Sequence, residues 1–108
     1  VDITLLRVGG MLYQEQAGGN ISNLYNAELI NKTEDPIDVS IIPGDKDVQI
    51  QWVQPVNKIP KEATVKVTFF VLIPQKSIKE RNTKITLLVK QNGKIVNSIK
   101  TNFLGPVN

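Results

Sequence analysis

The sequence predicts an all-β protein, a sandwich of about seven antiparallel strands in two sheets. Three observations predict it. Polarity alternates with a period of two along most of the chain, β-branched residues fill most of the apolar positions, and Pro, Gly, Asn and Asp separate the runs. No helical periodicity of useful length competes with this pattern.

The elements follow in order. The strands are expected at residues 2–8, 21–32, 36–42, 47–53, 63–73, 83–91 and 94–104. In the third, Ile37, Val39 and Ile41 alternate with Asp38 and Ser40; in the fourth, Val48, Ile50 and Trp52 alternate with Gln49 and Gln51. The fifth places Val65, Val67, Phe69, Val71 and Ile73 on one face and Thr64, Lys66 and Thr68 on the other. The last two offer Ile85, Leu87 and Val89, then Ile95, Ile99 and Phe103. Asp35-Pro36 and Pro43-Gly44-Asp45 bracket the third strand with turn chemistry. Asn92-Gly93 tolerates the two left-handed residues of a tight hairpin, so the last two strands should pair directly. "QPVNKIPKE" reads as an exposed crossing between sheets, and "PQKSIKERN" as another loop with one helical turn. Gly9-Gly10 and Gly18-Gly19 open no helix and are not phosphate loops; they are expected to bend the first strand across from one sheet to the other. Seven short strands with such turns form an immunoglobulin-like, Greek-key pattern. The disulfide of antibody domains is impossible here, because the chain has no cysteine. Tyr25, Trp52, Phe69 and Phe103 are the expected large core residues.

Composition narrows function by exclusion. One domain is the expectation for 108 residues. The absence of both Cys and His excludes thiolate metal sites, a Cys nucleophile and any relay that uses imidazole. Glu34-Asp35 and Asp45 with Asp47 are carboxylate pairs in predicted turns, where they stay solvated and ionised. With Asn57 nearby, the second pair lacks the spacing of a dedicated calcium loop. Met11 is the one soft side-chain ligand, and a single thioether does not make a copper site. No metal, cofactor or catalytic residue is therefore expected. Binding of nucleic acid is not expected either: most aromatics fall on dry faces, and Phe70 and Tyr13 alone are placed to meet solvent. The net charge of +3 hides a split, with 3 basic and 8 acidic residues in positions 1–55 against 10 basic and 2 acidic in 56–108. Interleaving of the two halves in a Greek key is expected to mix these charges in space.

"ISNLYNAELINKT" carries more amides than an ordinary strand. Asn23 and Asn31 share the parity of Tyr25 and Leu29, so both point toward the core. Buried amides must be satisfied by neighbouring backbone, so the expectation is that they brace loops. Asn20 and Asn31 also begin Asn-x-Ser/Thr triplets, a pattern common by chance. Gly105-Pro106 should end the last strand, since proline cannot continue a ladder.

Three stretches together carry a resemblance: Arg7, Gly10 and Tyr13; then Asn23, Tyr25, Asn31, Lys32 and Thr33; then Thr101, Phe103, Gly105 and Pro106. They resemble the C-terminal domain of FixG-type (CcoG/RdxA) cytochrome c oxidase accessory proteins. That domain has an Arg-x-x-Gly-x-x-Tyr-like opening, a strand with Asn-x-Tyr that ends in Asn-Lys-Thr, and a closing Thr-x-Phe-x-Gly-Pro. The middle of the chain, residues 36–75, adds no motif. The resemblance implies a fragment of a larger inner-membrane protein whose other parts carry membrane spans and cysteine-held 4Fe-4S clusters. Such proteins support maturation of cbb-type haem–copper oxidases through copper handling. The expected role of this module is then non-catalytic, on the periplasmic side of the bacterial inner membrane, with oxidase subunits or copper-assembly factors as protein partners. The competing expectation is a generic bacterial Ig-like or fibronectin-like surface module that binds glycan or acts as a spacer.

Overall fold

The computed structural model describes residues 1–8, 13–54 and 58–106. Nine strands form two antiparallel sheets among these residues. They are β1 (Asp2–Arg7), β2 (Gln14–Gln16), β3 (Asn20–Ile30), β4 (Ile37–Pro43), β5 (Gln49–Gln54), β6 (Lys58–Ile59), β7 (Thr64–Pro74), β8 (Asn82–Gln91) and β9 (Lys94–Leu104). A single 3₁₀ turn at Gln75–Ser77 follows β7, where one helical turn was expected. The first sheet runs β1-β3-β7-β5, with β2 also on β3; the second runs β6-β4-β8-β9. This is the strand distribution of an immunoglobulin-like sandwich, with short β6 added at the edge of the second sheet.

All seven expected strands are present, and the two additions have physical causes. The segment expected to cross between sheets does so, from β5 in one sheet to β6 in the other, and Lys58–Ile59 pairs with β4 there. β2 exists because Ala17, Gly18 and Gly19 close a hairpin from Gln16 to Asn20. Gly18 and Gly19 have φ of 82° and 79°, values that glycine adopts without a Cβ clash. The crossing expected of the first strand does not occur. β1 and β2 lie along the same edge of β3 because both carry backbone groups that complete its ladder. Gly9, Gly10 and Met11 lie outside the described residues.

The inward face follows the period of two. Tyr25, Ala27 and Leu29 of β3 lie opposite Phe69, Val67 and Val65 of β7, and Ile85, Leu87, Val89 and Phe103 close the core from the second sheet. Tyr25 and Phe69 stack with ring centroids 5.8 Å apart. Trp52 departs from expectation. It sits on β5, the edge strand of its sheet, and covers Phe69 at 5.0 Å while remaining half-buried. Ile95 departs more strongly, at 57% exposed. Val89 pairs with Asn97 but Lys90 pairs with Ile95, so β9 holds one extra residue at that point. An extra residue in a strand reverses the parity beyond it, which turns Ile95 outward.

Asn92-Gly93 forms the expected tight turn between β8 and β9, with φ of 52° and 84°. The Asn92 carboxamide oxygen also accepts from the Asp38 backbone N–H at 3.0 Å, and the Asn92 N–H donates to the Asp38 carbonyl at 2.8 Å. The hairpin tip is thereby tied to β4.

Phe69→Ala should lower stability by about 3–5 kcal/mol, the cost of a large cavity in a packed core. Trp52→Ala should cost visibly less, since solvent already reaches the ring. Urea midpoints of the two variants, at matched slope, check this order.

Candidate functional site

The motif residues gather at the two ends of β3. At one end, Asn23 reaches across to β9 in the opposite sheet. Its Nδ2 donates to the Leu104 carbonyl at 2.8 Å, and its Oδ1 accepts from the Leu104 N–H at 2.8 Å. Two residues on, the Tyr25 hydroxyl donates to the Asn102 carbonyl at 2.5 Å. β9 is the outer strand of its sheet, and its odd residues face β8, as the Gly105 N–H to Arg81 carbonyl bond continues to show. Leu104 and Asn102 therefore turn their backbone groups away from β8, and side chains of β3 occupy them. Phe103, between the two, is fully buried.

Other motif residues pack around this clasp. Arg7 stands opposite Tyr25 in the β1–β3 pair. Burial drives the Tyr25 phenol pKa far above its ordinary value, while the Arg7 charge pulls weakly the other way. Thr101 is half-buried opposite Ile85. Gly105 is buried against Ile78, and a Cβ there would lie 3.0 Å from the Ile78 Cδ1. Half-buried Pro106 follows, and the strand has ended at Leu104, as expected. Tyr13 is half-buried just before β2, and Gly10 lies outside the described residues.

At the other end, Asn31 is fully buried and knots the turn after β3 to the segment that joins β6 to β7. Its Nδ2 lies 2.8 Å from the Asp35 carbonyl and 3.1 Å from each of the Ile59 and Pro60 carbonyls, so two amide protons serve three acceptors. Its Oδ1 accepts from the Thr33 N–H at 2.9 Å. The Thr33 hydroxyl, with one proton, is 2.6 Å from that Oδ1 and 2.8 Å from the Asp35 carbonyl. The Asn31 backbone N–H donates to the Ala63 carbonyl at 2.9 Å. The side chain of Asn31 is thus inaccessible to modification in the folded chain. Lys32 points the opposite way and meets Asp2 at 2.6 Å in an exposed pair. The hydrogen bond between them, and then their opposite charges, favour the ionised forms, which lowers the Asp2 pKa and raises that of Lys32.

Chemistry is sparse elsewhere. Among the described residues no group of three or more His, Cys, Asp or Glu is placed to hold a metal. The Asp45 carboxylate accepts from the Thr86 N–H at 2.6 Å, and the Asp47 carboxylate accepts from the Ser77 hydroxyl at 3.4 Å, so both brace turns. Asn57 lies outside the described residues. An open depression of about 450 Å³ lies on the outer face of the first sheet, lined by Thr4, Leu6, Asn26, Glu28, Lys66 and Thr68 among others. It contains no nucleophile–base pair. Phe70 and Tyr13 are half-buried, so no aromatic platform stands out from either sheet among the described residues. No helix among them is long and apolar enough to cross a membrane.

Residues 1–106 match the family model for the Ig-like fold at the C-terminus of FixG. The chain belongs to this family. Its fold also matches the crystal structure of a FixG-related protein from Vibrio parahaemolyticus, at 14% identity and a TM-score of 0.73, over 95% of this chain and 94% of that one. No curated protein matches the sequence. The chain has no Cys thiolate with which to hold an iron–sulfur cluster.

The missed features of the module left weak traces. Ile78 is a lone apolar residue in a polar run, yet it is 1% exposed and underlies Gly105. Ile59 is likewise fully buried within a segment that reads as an exposed crossing.

Asn31→Ala should lower stability by about 1–3 kcal/mol, because the buried Ile59 carbonyl, the part-buried Asp35 and Pro60 carbonyls and the Thr33 N–H lose their partner. Lys32→Ala, beside it, should barely move the denaturation midpoint, since its ion pair is exposed. The Tyr25 phenol gives a pH signature. Its folded pKa is raised, so its contribution is full below the unfolded value near 10 and is lost as pH climbs beyond it. Tyr25→Phe should be less stable than the parent at neutral pH, and the difference should shrink above about pH 10, read from urea titrations at stepped pH.

Proposed function

We propose that the chain is a non-catalytic accessory module that acts in protein–protein interaction or scaffolding within a FixG-type membrane iron–sulfur protein. The observation that carries this reading is the family match, which spans residues 1–106. Three facts support it. The chain holds no Cys or His for redox or acid–base work. Its Asp45 and Asp47 carboxylates are engaged in turns. Its motif residues are spent on joining the two sheets and two of their connections, which leaves the outer sheet faces available to other proteins.

On this reading the parent supports maturation of a cbb-type cytochrome c oxidase by handling copper, and the module sits on the periplasmic side of the bacterial inner membrane. Oxidase subunits or copper-assembly factors are its partners. The parent's iron–sulfur chemistry takes place in other parts of that protein, and the module contributes position and contact.

The test is removal of residues 1–106 from the parent in its native host. The parent should still accumulate in the membrane with its iron–sulfur spectrum, while cbb-type oxidase activity falls and is not restored by an unrelated Ig-like domain in the same place. A periplasm-dependent reporter fused after residue 106 should be active. Normal oxidase activity after removal, or a reporter active in the cytoplasm alone, would overturn the proposal.

A further inference from the structure

The lysines of the β8–β9 hairpin have no acidic counterpart on the hairpin itself. Residues 82–104 contain Lys84, Lys90, Lys94 and Lys100 and not one Asp or Glu. Crossing of the strands does mix charge elsewhere. Lys58 faces Asp38 across β6–β4, Lys66 faces Glu28 across β7–β3, and Lys32 meets Asp2. The hairpin is the exception.

Register sets Lys90 and Lys100 on the outer face, beside an apolar centre. Ile42, Leu88 and Ser98 lie in one row across β4, β8 and β9, and Ser40, Lys90 and Ile95 lie in the next. All have outward parity, and Ile95 joins them through the extra residue in β9. Ile95 and Val96 are 57% and 50% exposed, two of the four exposed large apolar side chains among the described residues.

The edge of β9 is divided in two. Asn23 and Tyr25 occupy its C-terminal end at Leu104 and Asn102. Toward the hairpin tip no strand covers it among the described residues, and the Ser98 N–H is held locally by the Asn97 side chain at 2.8 Å.

From this arrangement we infer that the outer face and free edge of β8–β9, around residues 94–100, dock an acidic, extended segment of a partner protein. Charge chooses the occupant. A second copy of this chain along the same edge would bring lysine toward lysine, and lysines with a bulge are devices that discourage such self-pairing. An acidic strand meets the opposite sign, can bond the β9 backbone, and can cover Ile95 and Val96. The inference deepens the reading of the chain as an interaction module, and rests on it for the class of partner.

The experiment titrates the 108-residue chain, labelled with nitrogen-15, with a synthetic peptide that alternates Glu with Val and Thr. Amide shifts should concentrate in residues 84–100 and weaken as salt is added. The double variant Lys90→Glu/Lys100→Glu should lose about tenfold or more in affinity, while Lys66→Glu, on the other sheet, binds as before. A peptide with Lys in place of Glu should not bind. Failure of the acidic peptide to bind, shifts spread over both sheets, stronger binding to phosphatidylglycerol vesicles than to the peptide, or concentration-dependent dimerisation through β9 would each overturn the docking surface. The double variant placed in the parent separates the two proposals. Lost peptide binding with normal oxidase activity would leave the surface standing and count against the role in oxidase maturation.

Discussion

The Asn23 carboxamide does the work of a peptide unit. It presents one donor and one acceptor to Leu104, in the manner of a neighbouring strand, but from a side chain of the opposite sheet. Without a disulfide, the two sheets of this sandwich are joined by apolar packing, which is strong but non-directional. Packing alone would let one sheet slide over the other at modest cost. The pair of Asn23 bonds and the Tyr25 bond to Asn102 set the register of β9 against β3. Phe103, Gly105 and Ile78 then have one place to go.

The same economy governs the other end of β3. Asn31 takes up carbonyls from the turn after β3 and from the short β6 segment, and so holds the crossing between sheets against the loop it passes. Both asparagines are buried, and every buried side-chain polar atom among the described residues has a partner. Such satisfied amides specify a unique arrangement more than they add net stability, because each bond replaces one to water. The two ends of one strand thus define the module.

Those faces differ in kind. The outer face of the first sheet sets Lys66 opposite Glu28 and holds an open depression. The outer face of the second sets Lys90 and Lys100 beside exposed isoleucine and valine, on a strand whose C-terminal end is closed and whose beginning is open. The clasp and the open edge are two halves of one strand, divided where β3 side chains stop reaching it.

The sequence by itself determined the sandwich, the hairpin at Asn92-Gly93, and the inward set led by Tyr25, Phe69 and Phe103. These are local consequences of a two-residue period and of turn chemistry. It also placed Asn23 and Asn31 on the core side, since parity is a local property. Only the tertiary structure decided their partners. Asn23 and Leu104 are 81 residues apart, and Asn31 and Pro60 are 29 apart, distances over which no periodicity carries information. It decided as well that Trp52 covers the core from an edge strand, because strand order is set by which sheets pack and not by how a strand alternates. The one-residue bulge that exposes Ile95 arose the same way. A bulge is a mismatch between two strands, and a single strand read alone has nothing to be mismatched with.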